Sequence, residues 1–253
     1  MQPIIVSLLA CGVMLSGALA GVTLRRVLPD HHLNDHARDI VRLGAGLVGT
    51  IAALVLGLLI NSASSAYEAQ RSEVRQIAAD LILVDRLLDQ YGPQTRPIRE
   101  LLRQGVNELV VQVWGRHDRP GDGTTPFAVE SAGSRAYAMI HALQPETNAQ
   151  KVIQDQAQQK LIHLSEARLM LYERSKSKLP TPILVVLLFW LTALFASYCL
   201  FSPVNPTAAV ALTLVAVSAA AALFLILEMG EPFSGLMQVS SKALRTALPP
   251  LVP

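Results

Sequence analysis

Residues 42–71 read RLGAGLVGTIAALVLGLLINSASSAYEAQR, and this stretch decides the fold. From Leu43 to Tyr67 it runs 25 residues without a charge. Crossing a bilayer core of roughly 30 Å takes about 20 residues of helix. The composition is uneven around that helix. At helical spacing Gly46, Thr50, Ala53, Gly57, Asn61 and Ser64 form one stripe ending at Glu68, while Leu47, Ile51, Leu54, Val55 and Leu58 hold the other side. A membrane helix with a small-to-polar seam and an apolar back has something other than lipid against the seam. That is either a closely packed helix or water.

The rest of the chain shares this character. Apolar residues make up 51% and charged residues only 16%, against about 25% in an ordinary soluble protein. Residues 1–24, 43–67 and 179–227 carry no charge at all. Buried core helices of soluble proteins seldom hold more than about 10–14 such residues, so a soluble chain is excluded. A formal net charge of +2 is too small to imply a nucleic-acid partner. Cys11 and Cys199 both fall inside apolar runs and form no CxxC motif, so they predict no disulfide framework.

Met1 to Leu24 reads as a first, retained span. Ala18-Leu19-Ala20 resembles a signal-peptidase site. However, the start MQPIIV has no basic region, and the apolar run exceeds the roughly 7–15 residues of a signal core. The connector 25–42 is dense in His31, His32, His36, Asp30, Asp35 and Asp39. His32 and His36 share a helix face, but the stretch reads as an interfacial loop with Asp35 near the next N-cap, and no metal site is expected.

Beyond the membrane the second helix continues. Val74, Ile77, Leu81, Val84, Leu88 and Tyr91 step by three and four, and no Gly or Pro interrupts residues 66–91. Arg71, Glu73, Arg75, Asp80, Asp85, Arg86 and Asp89 occupy other faces, and Gly92-Pro93 ends the rod. Further helices are expected from about Pro97 to Trp114, over Ser134–Leu143 and from about Glu146 to Lys178, with a loop at 116–126. Residues 68–178 hold 15 Lys+Arg and 14 Asp+Glu, the balance of a solvated domain. No P-loop, GxGxxG, HExxH or GxSxG motif occurs there, and His163, Ser165 and Glu166 are only helical neighbours. Neither catalytic residue nor cofactor is expected, and the chain reads as a non-enzyme.

Residues 179–227 are too long for one span and break at Ser202-Pro203-Val204-Asn205-Pro206, giving a helical hairpin. Glu228 and Glu231 follow at the membrane edge. The expected fold is an all-α integral membrane protein with four transmembrane helices, arranged as two pairs separated by a helical cytoplasmic domain. Its parts are 1–67 (helices one and two), 68–178 (cytoplasmic domain), 179–229 (helices three and four) and 230–253 (cytoplasmic tail). Arg71, Arg75, Arg174, Lys176, Lys178, Lys242 and Arg245 favour placing the middle domain and both termini in the cytoplasm. Arg25, Arg26, Arg38 and Arg42 on the other side run against that rule.

LRRVLPDHHLNDHARDIVRLGAGLVGTIAALVLGLLINSASSAYEAQRSEVRQIAADLILVDRLLDQYGP, residues 24–93, resembles the N-terminal half of the bacterial bestrophin-like membrane proteins, a family catalogued as a domain of unknown function. Leu227-Glu228-Met229-Gly230-Glu231-Pro232-Phe233-Ser234-Gly235, followed by Val239-Ser240, resembles its second signature, in which an acidic residue ends the last span and Pro-Phe-x-Gly re-enters the surface. The family is remotely similar to the bestrophins, pentameric ion channels whose second transmembrane helix lines the pore. The resemblance implies a homo-oligomer, a pentamer on that pattern, in the bilayer of a bacterial inner membrane, passing small ions. Bulky pore-neck residues are missing here, since Ala53 and Gly57 stand on the seam, and the calcium-clasp acidic cluster has no counterpart, so calcium is not carried over.

Two readings of the seam follow. In the first, Gly46, Thr50, Ala53, Gly57, Asn61, Ser64 and Glu68 line a pore, with Arg42 at the outer mouth and Glu228 and Glu231 at the inner. In the second, the protein is a non-conducting structural or sensing molecule whose seam only packs helices. The heptad seam of residues 74–91 would then be a surface for oligomers or partners.

Overall fold

The computed structural model describes residues 3–29, 35–115, 132–176, 181–201, 205–233 and 235–248. Among them every regular element is helical: α1 (Pro3–Val27), α2 (Asp35–Tyr91), α3 (Arg96–Trp114), α4 (Ala132–His141), α5 (Asn148–Lys176), α6 (Thr181–Phe201), α7 (Pro206–Met229) and the short α8 (Lys242–Arg245), with a 3₁₀ turn at Pro93–Thr95. Four helices, α1, α2, α6 and α7, are long and apolar enough to cross a membrane. The chain divides into two compact units. One comprises residues 1–67 and 178–231, the other 68–177 and 232–253. Expectations for the 116–126 loop, His31, His32 and the turn at 202–204 lie outside the described residues.

In the membrane unit α1 packs on α6 and α7. Gly17-Ala18-Leu19-Ala20-Gly21 is the reason α1 sits so close to α6. A Cβ on Gly17 would lie 2.7 Å from the Thr192 carbonyl oxygen, and one on Gly21 would lie 2.2 Å from that of Ala196. Contacts advance by four residues on both helices, so α1 and α6 run parallel with backbones touching, as small-xxx-small pairs permit. The Ala18–Ala20 stretch therefore belongs to a packed helix, with Met14 and Gly21 buried on either side of it. Ala10, Ala52, Leu59, Ala63, Leu187, Leu223 and Ile226 form one apolar cluster, and Met14, Phe195, Ala216 and Ala220 a second.

The second unit contains residues 68–91 of α2. Val74, Ile77, Leu81, Val84, Leu88 and Tyr91 are all 5% exposed or less. Val84, Leu87 and Leu88 meet Ile98, Leu102, Ala136, Ile140, Ala157 and Leu161 in one core. This corrects one expectation. The heptad seam is the protomer's own core rather than a docking face, because α3, α4 and α5 supply the apolar partners it needs. At roughly 1.5–3 kcal/mol per buried aliphatic side chain, that core dominates the unit. Gly92 closes α2 with φ of 136°, a conformation side-chain-bearing residues rarely adopt. The buried Thr95 hydroxyl then donates to the Leu88 carbonyl at 2.5 Å, satisfying one of the helix's last acceptors.

Asp80 and Asp85 lie off the apolar repeat of α2, yet both are buried. Asp85 accepts two bonds from Arg99, at 2.8 and 3.0 Å, and one from Arg103 at 3.4 Å. Asp80 accepts from Lys160 at 2.9 Å and Gln76 at 3.2 Å. The hydrogen bonds to Asp85 hold the Arg99 guanidinium above its ordinary pKa against the opposing effect of burial, so its charge is permanent. The tail is not loose either. Trp114 donates its indole N–H to the Val239 carbonyl at 2.7 Å and stands edge-on to Phe233, ring centres 5.2 Å apart. Phe233, Val239 and Leu244 are buried within this unit.

Candidate functional site

The seam lies on the membrane half of α2. With about 100° between successive residues, the face centred on Ala45, Ala52, Leu59 and Ala63 is the buried one. Gly49 on its edge approaches Leu194. The seam sits roughly 130° away on one flank of this buried face, and the leucines sit about as far away on the other. Every seam residue, Gly46, Thr50, Ala53, Gly57, Asn61, Ser64 and Glu68, is exposed. A Cβ added at Gly46 or Gly57 would meet nothing within 4 Å. So the small residues on the covered face of α2 are Ala45, Gly49, Ala52 and Ala63, one position away from the stripe picked out by polarity. Within its own chain the seam packs no described helix.

Polarity along the seam is graded. Thr50 returns its hydroxyl to the Gly46 carbonyl at 2.9 Å, a bond that satisfies it inside the helix. The side chains of Asn61 and Ser64 make no hydrogen bond among the described residues, and Asn61 is exposed roughly 10 Å inside Glu68 along the axis. A carboxamide at that depth without a partner requires water or another protein surface, since lipid cannot satisfy it. Glu68 accepts from Arg71 at 3.1 Å, both side chains exposed, so the end of the stripe carries a paired charge rather than a lone carboxylate.

The remaining charged candidates are dispersed. Arg42 is exposed and borders a cavity between α2 and α6, with Arg38 one turn before it. Arg38 donates to the Phe201 carbonyl at 2.6 Å and so caps the end of α6. This gives at least one of the four arginines that run against the charge rule a structural task. Glu228 is only 2% exposed at the end of α7, inside the membrane unit, whereas Glu231 is exposed. Among the described residues no cluster of His, Cys, Asp or Glu is suited to hold a metal, and His36 is exposed. The α1 glycine pair, the Asp85–Arg99 cluster and the Trp114–tail contact were all missed by reading the sequence. Of these only the Gly17/Gly21 spacing was visible in it.

Comparison with known proteins adds the following. A family model described as a bestrophin-like domain matches residues 12–244. Crystal structures of point-mutated forms of a bacterial bestrophin homologue from Klebsiella pneumoniae are similar to this chain. One has a TM-score of 0.68 at 15% identity, covering 98% of this chain and 96% of that one. A second has a TM-score of 0.66 at 14% identity, covering 93% and 94%. A third has 0.65 at 16%, covering 98% and 96%. No curated protein matches the sequence.

Proposed function

Since the chain belongs to the bestrophin-like family, we propose that it forms a homo-oligomeric ion channel in the bacterial inner membrane with α2 lining the pore. The observation that carries this reading is the exposed, unpartnered Asn61 on a stripe that is exposed from Gly46 to Glu68. Several copies set around an axis would turn those stripes inward, with the exposed Leu47, Leu54 and Leu58 toward neighbouring copies or lipid. Asn61 and Ser64 then supply dipoles that replace part of an ion's hydration shell. The Glu68–Arg71 pair biases the inner mouth toward cations less than a lone carboxylate ring would. Both termini and residues 68–178 lie in the cytoplasm in this arrangement, following the basic residues around them.

Single-channel recording of the purified oligomer in planar bilayers tests the proposal. Unitary currents are expected, with altered selectivity in Asn61→Leu. A folded oligomer that passes no current would end it in favour of a seam that packs copies together. Cysteine labelling along residues 46–64 gives a second check. Water-soluble thiol reagents should react with a period of about 3.6 residues, peaking at positions 50, 57 and 61.

A further inference from the structure

We propose that the cavity between α2 and α6 bounded by Arg38, Arg42, Ser197, Tyr198 and Phe201 binds a phosphate oxyanion, as carried by a phospholipid headgroup. All of its walls belong to the membrane unit. The cavity measures about 60 Å³, well above the roughly 10–15 Å³ a single water needs. It therefore accepts a group of a few heavy atoms, such as a phosphate, and not a whole headgroup.

Its depth matches that ligand. Arg42 immediately precedes the uncharged run that starts at Leu43, and Phe201 ends α6, so the cavity lies where the hydrocarbon gives way to headgroups. Tyr198, 49% exposed, has the amphipathic ring that favours that level.

The charge is one-sided. Arg38 and Arg42 share a helix face one turn apart. Neither makes an ion pair among the described residues. Arg38 is held in place by its bond to the Phe201 carbonyl, which orients its guanidinium in advance. Val41 and Ala45 complete the α2 wall of the cavity with apolar surface. Planar guanidinium forks facing a small concavity are suited to two phosphate oxygens. Basic pockets between membrane helices hold anionic headgroups in this way. A free inorganic anion shares this chemistry and is separated from the lipid by the test below. A phospholipid is favoured because the cavity lies at the bilayer surface, where lipid phosphates are concentrated.

The test is native mass spectrometry of the full-length protein released from detergent, with phosphatidylglycerol or a phosphate-free galactolipid added. Wild type should retain phosphatidylglycerol and lose the galactolipid. Arg42→Ala, at an exposed position, should weaken retention about tenfold or more, and Arg42→Lys should recover part of it. Arg26→Ala, an exposed arginine outside the cavity, should retain lipid like wild type. Equal loss in Arg26→Ala and Arg42→Ala would mean diffuse electrostatics and overturn the site. So would retention that ignores Arg42. Thermal protection by millimolar inorganic phosphate but not by phosphatidylglycerol would overturn the lipid assignment. None of these readouts depends on conductance, so they stand or fall separately from the channel proposal.

Discussion

Replacing Gly21 with alanine tests the packing of α1 on α6 directly. The new Cβ would sit 2.2 Å from the Ala196 carbonyl oxygen, whereas ordinary contact begins at 3.4 Å. The two backbones must therefore separate by the shortfall, about 1.2 Å at this point. Both sides of the contact are helical backbone, so no flexible side chain can give way. Overpacking of this kind costs about 1–3 kcal/mol. A gap of 0.5–1 Å along the flanking contacts forfeits a quarter to a half of their dispersion energy. Alanine's better helix propensity returns up to about 1 kcal/mol. The net loss is about 0–2 kcal/mol, or up to roughly 8 °C in melting temperature for a chain of this size, against a gain of up to about 1 kcal/mol for an alanine that meets nothing. The assay is thermal unfolding of the detergent-solubilised protein, followed by size-exclusion fluorescence. Gly12→Ala is the matched control, since a Cβ there meets nothing within 4 Å. If Gly21→Ala melts as late as Gly12→Ala, the close parallel approach of α1 and α6 is wrong.

Three further outcomes concern the second unit. Asp85→Ala leaves Arg99 and Arg103, 16% and 14% exposed, without their shared acceptor and should cost about 2–4 kcal/mol; Asp89→Ala, at a carboxylate 67% exposed, should cost under about 1 kcal/mol, and equal losses in chemical denaturation would contradict the network. The buried Tyr91 hydroxyl has no partner among the described residues, so Tyr91→Phe should be neutral or stabilising by up to about 1 kcal/mol. Burial, with the Glu146 carboxylate adding to it, pushes the Tyr91 phenol above its usual value of 10.0; the native state then holds the proton more tightly than the unfolded chain, stability falls as pH rises past about 10, and Tyr91→Phe should flatten that fall in an alkaline melt series. Trp114→Phe removes the bond to Val239 and about 1 kcal/mol, and should speed proteolytic nicking within residues 232–248; an unchanged cleavage rate would mean the tail is held by other contacts.

How much was legible beforehand depended on the range of the interaction. The extent of α2 was readable because a charge-free run and an apolar repeat without Gly or Pro are local signals, and helix α2 indeed spans Asp35–Tyr91. The ends of α3 at Trp114 and of α2 before Gly92-Pro93 were readable for the same reason. The burial of Asp85 was not. It follows from Arg99 arriving 14 residues later on a different helix, and nothing beside Asp85 in sequence announces it. Phe233 belongs to the Pro-Phe-x-Gly motif expected to re-enter the surface, yet it is buried beside Trp114, more than a hundred residues earlier.

By itself, the sequence determined that this chain belongs in a membrane, that four helices can cross it and that the second runs on well past the roughly 20 residues a bilayer needs. Hydrophobic length and periodicity are properties of single segments and need no partner to be read. Only the tertiary structure decided which face of the second helix is covered. Ala45 and Gly46, Gly49 and Thr50, and Ala52 and Ala53 are adjacent pairs of small residues, so either of two neighbouring stripes could have faced the protein. The helices packed against α2 cover the stripe through Ala45, Ala52 and Ala63 and leave Gly46 to Glu68 open. That choice rests on contacts between helices, which the pattern of a single helix does not contain.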